Sequence, residues 1–113
     1  MISKNLRLTT SRVAYVLHKG KRLGNDYFAL KLLLTRNSSS HFGVTVSTKI
    51  YASAVKRNKL RRRIYEIIRL NHHLLNKPVD LMVITKAPIT TLKYPELQAI
   101  MLQMFQDINK LSS

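Results

Sequence analysis

The sequence predicts an α+β domain, a two-layer sandwich in which helices pack against a sheet. Three observations carry that prediction. Apolar residues alternate with period two over Tyr27–Thr35 and again over His41–Ser47, the pattern of half-buried strands. Leu60, Ile64, Ile67, Ile68, Leu74 and Leu75 recur at helical spacing, and an apolar run from Val79 to Thr85 follows them. A strand after that helix makes the helix a crossover. Leu97, Ile100, Met101, Met104, Phe105, Ile108 and Leu111 then share one stripe of a last helix. The two amphipathic helices bury their stripes only by packing together on one face of the sheet.

The elements follow in order. Thr9, Thr10 or Ser11 can cap a first helix in which Val13, Val16 and Leu17 share a face. Gly20 ends it, with His18, Lys19, Lys21 and Arg22 around the negative end of its dipole. Gly24-Asn25-Asp26 is turn chemistry. In the strand from Tyr27 to about Thr35, Phe28, Leu30, Leu32 and Leu34 form an apolar face, and the mixed opposite face carries Lys31. Asn37-Ser38-Ser39-Ser40 reads as a loop tip. In the next strand Phe42, Val44 and Val46 oppose Gly43, Thr45 and Ser47, and that small, polar face suggests a sheet surface left open. Ser53 can cap the long helix, which ends near Asn76-Lys77-Pro78. Ala87–Thr91 reads as a loop, and Pro95 opens the last helix. With no internal repeat and no low-complexity segment, residues 1–113 are expected to form one domain.

Charge narrows the function. Twenty Lys and Arg stand against five Asp and Glu, a net charge of +15. Such an excess calls for a polyanionic partner, most often nucleic acid. An anionic membrane surface is the competing partner, and the absence of Trp and the spread of the cations along the chain count against it. There is no Cys, hence no disulfide framework and no thiolate chemistry. Residues Met1–Arg7 lack the apolar core of a signal peptide, and no apolar run approaches a membrane span, so a cytoplasmic protein is expected.

The cations concentrate where the chain is also amphipathic. Between Ala54 and Arg69 lie Lys56, Arg57, Lys59, Arg61, Arg62, Arg63 and Arg69, with Glu66 the one acid. At about 100° per residue, Asn58, Lys59, Arg62, Tyr65 and Arg69 fall away from the apolar stripe, and Arg61 and Arg63 flank it. Packed like charges repel one another, and a polyanion across the exposed face offsets that repulsion. A sheet face left partly bare, lined by Lys31, Thr45, Ser47 and the edge of the first helix, would sit beside it as a groove for a single strand.

The run Arg57-Asn58-Lys59-Leu60-Arg61-Arg62-Arg63-Ile64-Tyr65-Glu66 resembles the arginine-asparagine-arginine motif of the bacterial ribonuclease P protein family. Leu17-His18-Lys19-Gly20-Lys21-Arg22 is similar to that family's first helix exit, and Phe42-Gly43-Val44-Thr45-Val46-Ser47-Thr48-Lys49 to its third strand. Val79–Ile84 and Ala87-Pro88 are similar to its fourth strand and the loop after it. The likeness spans nearly the whole chain in the right order. It implies the order αβββαβα, with a four-stranded mixed sheet and a left-handed crossover, a fold shared with a domain of a small-subunit ribosomal protein. Periodicity alone would default to a right-handed crossover.

The resemblance further implies a monomeric protein that binds the catalytic RNA of ribonuclease P and the 5′ leader of precursor tRNA. The RNA and its magnesium ions would perform the hydrolysis. Lys49, Lys56, Arg57, Asn58, Lys59, Arg61, Arg62, Arg63, Tyr65 and Arg69 form the expected RNA-binding set. Val13, Leu17, Lys31, Thr45 and Ser47 form the expected leader groove. Arginine forks suit phosphate oxygens, and Asn58 can hold a sugar hydroxyl or local backbone. Tyr65 departs from the family pattern, which has an arginine there; a phenol can stack on a base but brings no charge. The family's aromatics on the first helix are Val13 and Leu17 here, and a frequent tyrosine on the second strand is Lys31.

The chain itself carries no catalytic constellation in sequence. Asp26, Glu66, Asp80, Glu96 and Asp107 are scattered over different elements, and Glu66, among arginines, suits an ion pair. His72 and His73 point about 100° apart on a helix, and His18 and His41 look isolated. The alternative functions are a ribosomal-type structural RNA-binding protein, a DNA-binding regulator and a membrane-surface module. A DNA reader would call for a helix-turn-helix pattern and dimer symmetry, which this pattern lacks.

Overall fold

In the structure, a computed structural model that describes residues 6–35 and 39–111, the chain runs α1 Thr10–Lys19, β1 Lys21–Gly24, β2 Phe28–Leu34, β3 His41–Thr45, α2 Ala54–Asn71, β4 Val79–Thr85 and α3 Tyr94–Asn109. Single 3-10 turns follow α2 (His72–Leu74) and β4 (Ala87–Thr91). Residues 1–5, 36–38 and 112–113 lie outside the described residues, and with them Asn37 and Ser38, half of the expected loop tip Asn37-Ser38-Ser39-Ser40.

Local chemistry sets the ends of the elements. The Thr9 hydroxyl accepts from the Arg12 N–H at 3.3 Å, and the Ser53 hydroxyl accepts from the Lys56 N–H at the same distance. Glu96 reaches back to the Lys93 N–H at 2.9 Å and stabilises the start of α3. Asn25 accepts from the N–H groups of Tyr27 and Phe28, both at 2.8 Å, and so builds the turn between β1 and β2. Gly20 is needed where α1 meets the sheet: a Cβ there would lie 2.4 Å from the Val16 carbonyl oxygen and 3.0 Å from the Leu32 nitrogen.

The four strands lie in the order β1-β2-β4-β3. The pairs β1–β2 and β2–β4 are antiparallel, and β3–β4 is parallel. Parallel neighbours cannot be joined by a hairpin, so α2 carries the chain back across the sheet. Phe28, Leu30 and Leu32 of β2, Phe42 and Val44 of β3, and Val79, Leu81 and Val83 of β4 are buried in one cluster with Ile64, Ile67 and Ile68 of α2 and Met101, Phe105 and Ile108 of α3. That is the expected core, with both amphipathic helices on one sheet face.

The second face is divided. Register places Leu33, Asp80 and His41 in one row, Lys31, Met82 and Gly43 in the next, and Ala29, Ile84 and Thr45 in the last. Over the first rows lies α1, whose Val16 is fully buried and whose Arg12 reaches Asp80. Gly43 is therefore not open as expected: it is buried beneath the Met82 side chain, whose Sδ would lie 2.4 Å from an added Cβ. Thr45 and Ser47 are exposed.

Periodicity missed β1, which has four residues and only half-buried Leu23 as an apolar marker. The expected third strand stops at Thr45, two residues early, where it pairs with Ile84 next to the end of β4. The long helix gives way to a 3-10 turn at His72, where the Asn71 amide donates to the Ile67 carbonyl at 2.8 Å.

Candidate nucleic-acid interface

Helix α2 buries Ile64, Ile67 and Ile68, and the cations divide to either side of that stripe. On one side Asn58, Arg61, Arg62 and the edge of Tyr65 line a cleft of about 480 Å³, with Arg7 and Val55 completing it. On the other side Lys56, Lys59 and Arg63 line a cleft of about 230 Å³ against the segment from Ile89 to Leu97. The two sets are each spaced three or four residues apart, so each forms its own ridge. The expected single basic face is thus two flanks.

Individual cations have different commitments. Arg57 turns back on the loop before α2, where Nη1 donates to the carbonyls of Tyr51 at 3.0 Å and Ala52 at 2.8 Å. Asn58 accepts from Arg61 Nη1 at 2.6 Å, which sets the direction of that guanidinium. Arg69 binds Glu66 bidentately at 3.0 and 2.5 Å. That contact holds the Glu66 carboxyl below its ordinary range, chiefly through the hydrogen bond; burial opposes it, and the Arg69 charge adds a smaller pull downward. Arg69 therefore brings no net charge to the face. Among the described residues the pairs between carboxylates and basic groups are Arg12–Asp80, Arg69–Glu66 and the close approach of His41 to Asp80, so no acid neutralises Arg61, Arg62, Lys59 or Arg63. Lys49 is exposed in the turn after β3, where its N–H donates to the Ser47 hydroxyl at 3.3 Å.

Tyr65 corrects the expectation of an outward, base-stacking ring. It is 7% exposed and belongs to the core cluster. Its hydroxyl accepts from the Val44 N–H at 3.2 Å. That N–H lies on the outer edge of β3, where no further strand supplies an acceptor; one residue pair away, the same edge is covered by the Leu8 N–H donating to the Phe42 carbonyl at 3.0 Å. Tyr65 and the segment around Arg7 together close an open strand edge.

The groove residues are spread over the second sheet face and its helix. Val13 is half-buried and Leu17 is exposed on the flank of α1 next to buried Val16. Lys31 is half-buried in the middle row, and Thr45 and Ser47 are exposed beyond it. Sequence reading placed His41 alone, but strand pairing sets it opposite Asp80, with Nδ1 at 3.4 Å from Oδ1. Asp80 is buried, and its other oxygen accepts from Arg12 Nε at 2.6 Å. Arg12 in turn lies 4.8 Å over the exposed Tyr15 ring. Arg7, Arg12, Tyr15 and His41 were all absent from the expected set. For Arg7, Arg12 and His41 no local signal exists, because Phe42 and Asp80 lie in distant parts of the chain, whereas Tyr15 sits three residues from Arg12 and could have been read from helical spacing.

The family model described as Ribonuclease P matches residues 2–109. The chain belongs to the ribonuclease P protein family. It is 36% identical over 92 residues to the ribonuclease P protein component of Desulfatibacillum aliphaticivorans, covering 81% of this chain and 77% of that one. With the counterpart from Finegoldia magna it is 33% identical over 104 residues, covering 91% and 90%. The ribonuclease P protein from Thermotoga maritima superposes with a TM-score of 0.81 at 25% identity, over 95% of this chain and 98% of that one. Among the described residues, no three His, Asp or Glu side chains gather so as to hold an ion. No helix there is long and apolar enough to cross a membrane.

Proposed function

We propose that this chain is the protein component of ribonuclease P and assists removal of the 5′ leader from precursor tRNA, the catalytic RNA performing the hydrolysis with its own magnesium. The carrying observation is the cleft beside α2, where Arg61, Arg62 and Arg7 converge without an acid partner and Asn58 aims one of the guanidinium groups. Guanidinium forks of that kind suit the phosphate oxygens of a folded RNA. Arg57, held by two carbonyls, secures the loop that leads into the motif, and Lys49, Lys56, Lys59 and Arg63 add charge around it.

The leader would pass over the exposed end of the second sheet face, along Thr45 and Ser47, with Lys31 and the Val13–Leu17 edge of α1 beside it. Stacking surface is scarce there, so charge and backbone hydrogen bonding carry the contact. The protein acts as a monomer within the cytoplasmic ribonucleoprotein, and magnesium is bound by the RNA.

Reconstitution tests this. The protein is expected to raise cleavage of leader-bearing precursor tRNA by its cognate catalytic RNA at low magnesium, and to be inactive alone. Equal cleavage with and without the protein under those conditions would refute the assignment.

A further inference from the structure

The cleft on the opposite flank of α2 has a composition that phosphate binding alone does not require. Its floor is apolar, formed by half-buried Leu60 and by Ile89 and Leu97, which are 2% and 3% exposed. Two half-buried phenols, Tyr51 and Tyr94, line it, and Lys56, Lys59 and Arg63 stand along one wall. Lys56 Nζ lies 5.9 Å from the centre of the Tyr51 ring.

The three cations follow one another at spacings of three and four residues on the same helix flank. Each such like-charged pair costs a helix roughly 0.2–0.5 kcal/mol. No carboxylate offsets them, because the acids that form ion pairs among the described residues are Asp80 and Glu66, paired elsewhere. An anion at the rim would offset that cost, and a planar apolar group would fit between floor and phenols. At about 230 Å³ the cleft is smaller than the roughly 300–1,000 Å³ of sites for drug-sized ligands. It has room for one ring system, not for a duplex.

We infer that this cleft is a second RNA site, which takes a single unstacked nucleotide with its base against Tyr51 and Tyr94 and its phosphates on Lys56, Lys59 and Arg63. The ligand is a single-stranded RNA segment, because only there are base faces free to meet aromatic side chains. The site is separate from the Asn58–Arg61–Arg62 cleft: Lys56, Lys59 and Arg63 lie two positions before Asn58, Arg61 and Tyr65 of that cleft, or roughly 200° around the helix. One nucleotide cannot occupy both. The inference rests on the chain being an RNA-binding protein, not on which RNA it serves.

The test uses the full-length isotope-labelled protein titrated with a five-residue oligouridylate at low salt, followed by backbone amide shifts and by equilibrium binding. Amides of Tyr51, Leu60 and Tyr94 are expected to move. Tyr51→Leu, which keeps an apolar side chain without an aromatic face, is expected to weaken binding about tenfold, within the range for loss of one base stack. Arg63→Gln, at an exposed position, is expected to weaken it several-fold and to lower the salt slope by about 0.7. Far-UV circular dichroism checks that both variants keep the fold.

The inference is overturned if the parent protein does not bind the oligonucleotide, or if Tyr51→Leu and Arg63→Gln bind within twofold of it. It is also overturned if inorganic tripolyphosphate or anionic vesicles reproduce the Tyr51, Leu60 and Tyr94 shifts, because charge alone would then account for the cleft. The precursor tRNA assay remains an independent readout: a parent protein that binds the oligonucleotide here yet fails to stimulate cleavage sinks the processing role and leaves this site standing.

Discussion

Replacing Tyr65 with Phe isolates one hydroxyl whose work is structural. The ring would keep its place in the core, since Phe fills the same volume, and only the acceptor for the Val44 N–H at 3.2 Å would be lost. A typical hydrogen bond contributes a net of about 0.5–1.5 kcal/mol, and a buried donor left without an acceptor costs about 1–3 kcal/mol. Val44 is 8% exposed, at the sheet edge, so water can reach the freed N–H only with local fraying. The expected loss is therefore about 1.5 kcal/mol. At about 4 °C per kcal/mol for a domain near this size, the melting temperature should fall by about 6 °C.

Urea denaturation followed by circular dichroism would measure the loss, with binding to the catalytic RNA measured in parallel. RNA affinity should stay within twofold, because the ring faces inward. Tyr65→Arg should cost more stability than Phe: a guanidinium has no acceptor to offer the Val44 N–H. Unchanged stability in Tyr65→Phe together with a large loss of RNA affinity would show that the hydroxyl faces the RNA, and the structural reading of this position would fail.

Arg12→Ala should destabilise the fold by about 1–3 kcal/mol, because it strips the 2.6 Å partner from a buried carboxylate; the partial exposure of Arg12 keeps the figure below that of a fully buried pair. A denaturation midpoint equal to the parent's would contradict it. Burial first, and the neighbouring His73 charge second, push the His72 pKa below its ordinary value. The unfolded chain then binds that proton more readily, so this contribution is present above the unfolded pKa near 6.5 and declines as pH falls through the lower folded value. His72→Gln should flatten the fall in stability between pH 7.5 and 5, and an unaltered pH profile would count against the burial argument. Gly20→Ala should cost about 1–3 kcal/mol, because its Cβ meets the backbone of Val16 and Leu32 and neither can swing aside. Thermal melts decide that case, and a neutral substitution would mean the helix exit relaxes freely. Charge removal at Arg61 and Arg62 together should lower the salt slope of RNA binding by roughly 1.4–1.8, which a salt titration of the affinity reads directly.

Much of the fold was legible because its signals are periodic. The alternation in β2 and β3, the stripe of α3 and the apolar run of β4 each repeat over seven or more positions or sit between clear breakers. The Thr9 and Ser53 caps are local, one side chain and an N–H three residues on, and so could be read from spacing. Strand β1 was not, because four mostly exposed residues leave too few apolar positions to define a period. The open face was half right. Thr45 and Ser47 are exposed, but Gly43 lies under Met82, a contact between residues 39 positions apart in sequence that no alternation records.

The amino-acid order alone dictated an RNA-sized excess of positive charge on an amphipathic helix, since both composition and helical period are properties of the chain. It could not say which of those cations are free. Arg57 is spent on carbonyls, Arg69 on Glu66, and Tyr65 on the edge of β3, and each depends on where a side chain lands once the backbone is folded. The Arg12–Asp80–His41 cluster, too, exists only because β4 pairs with β3 beneath α1. Periodicity is written along one dimension, whereas hydrogen-bond partners are chosen in three.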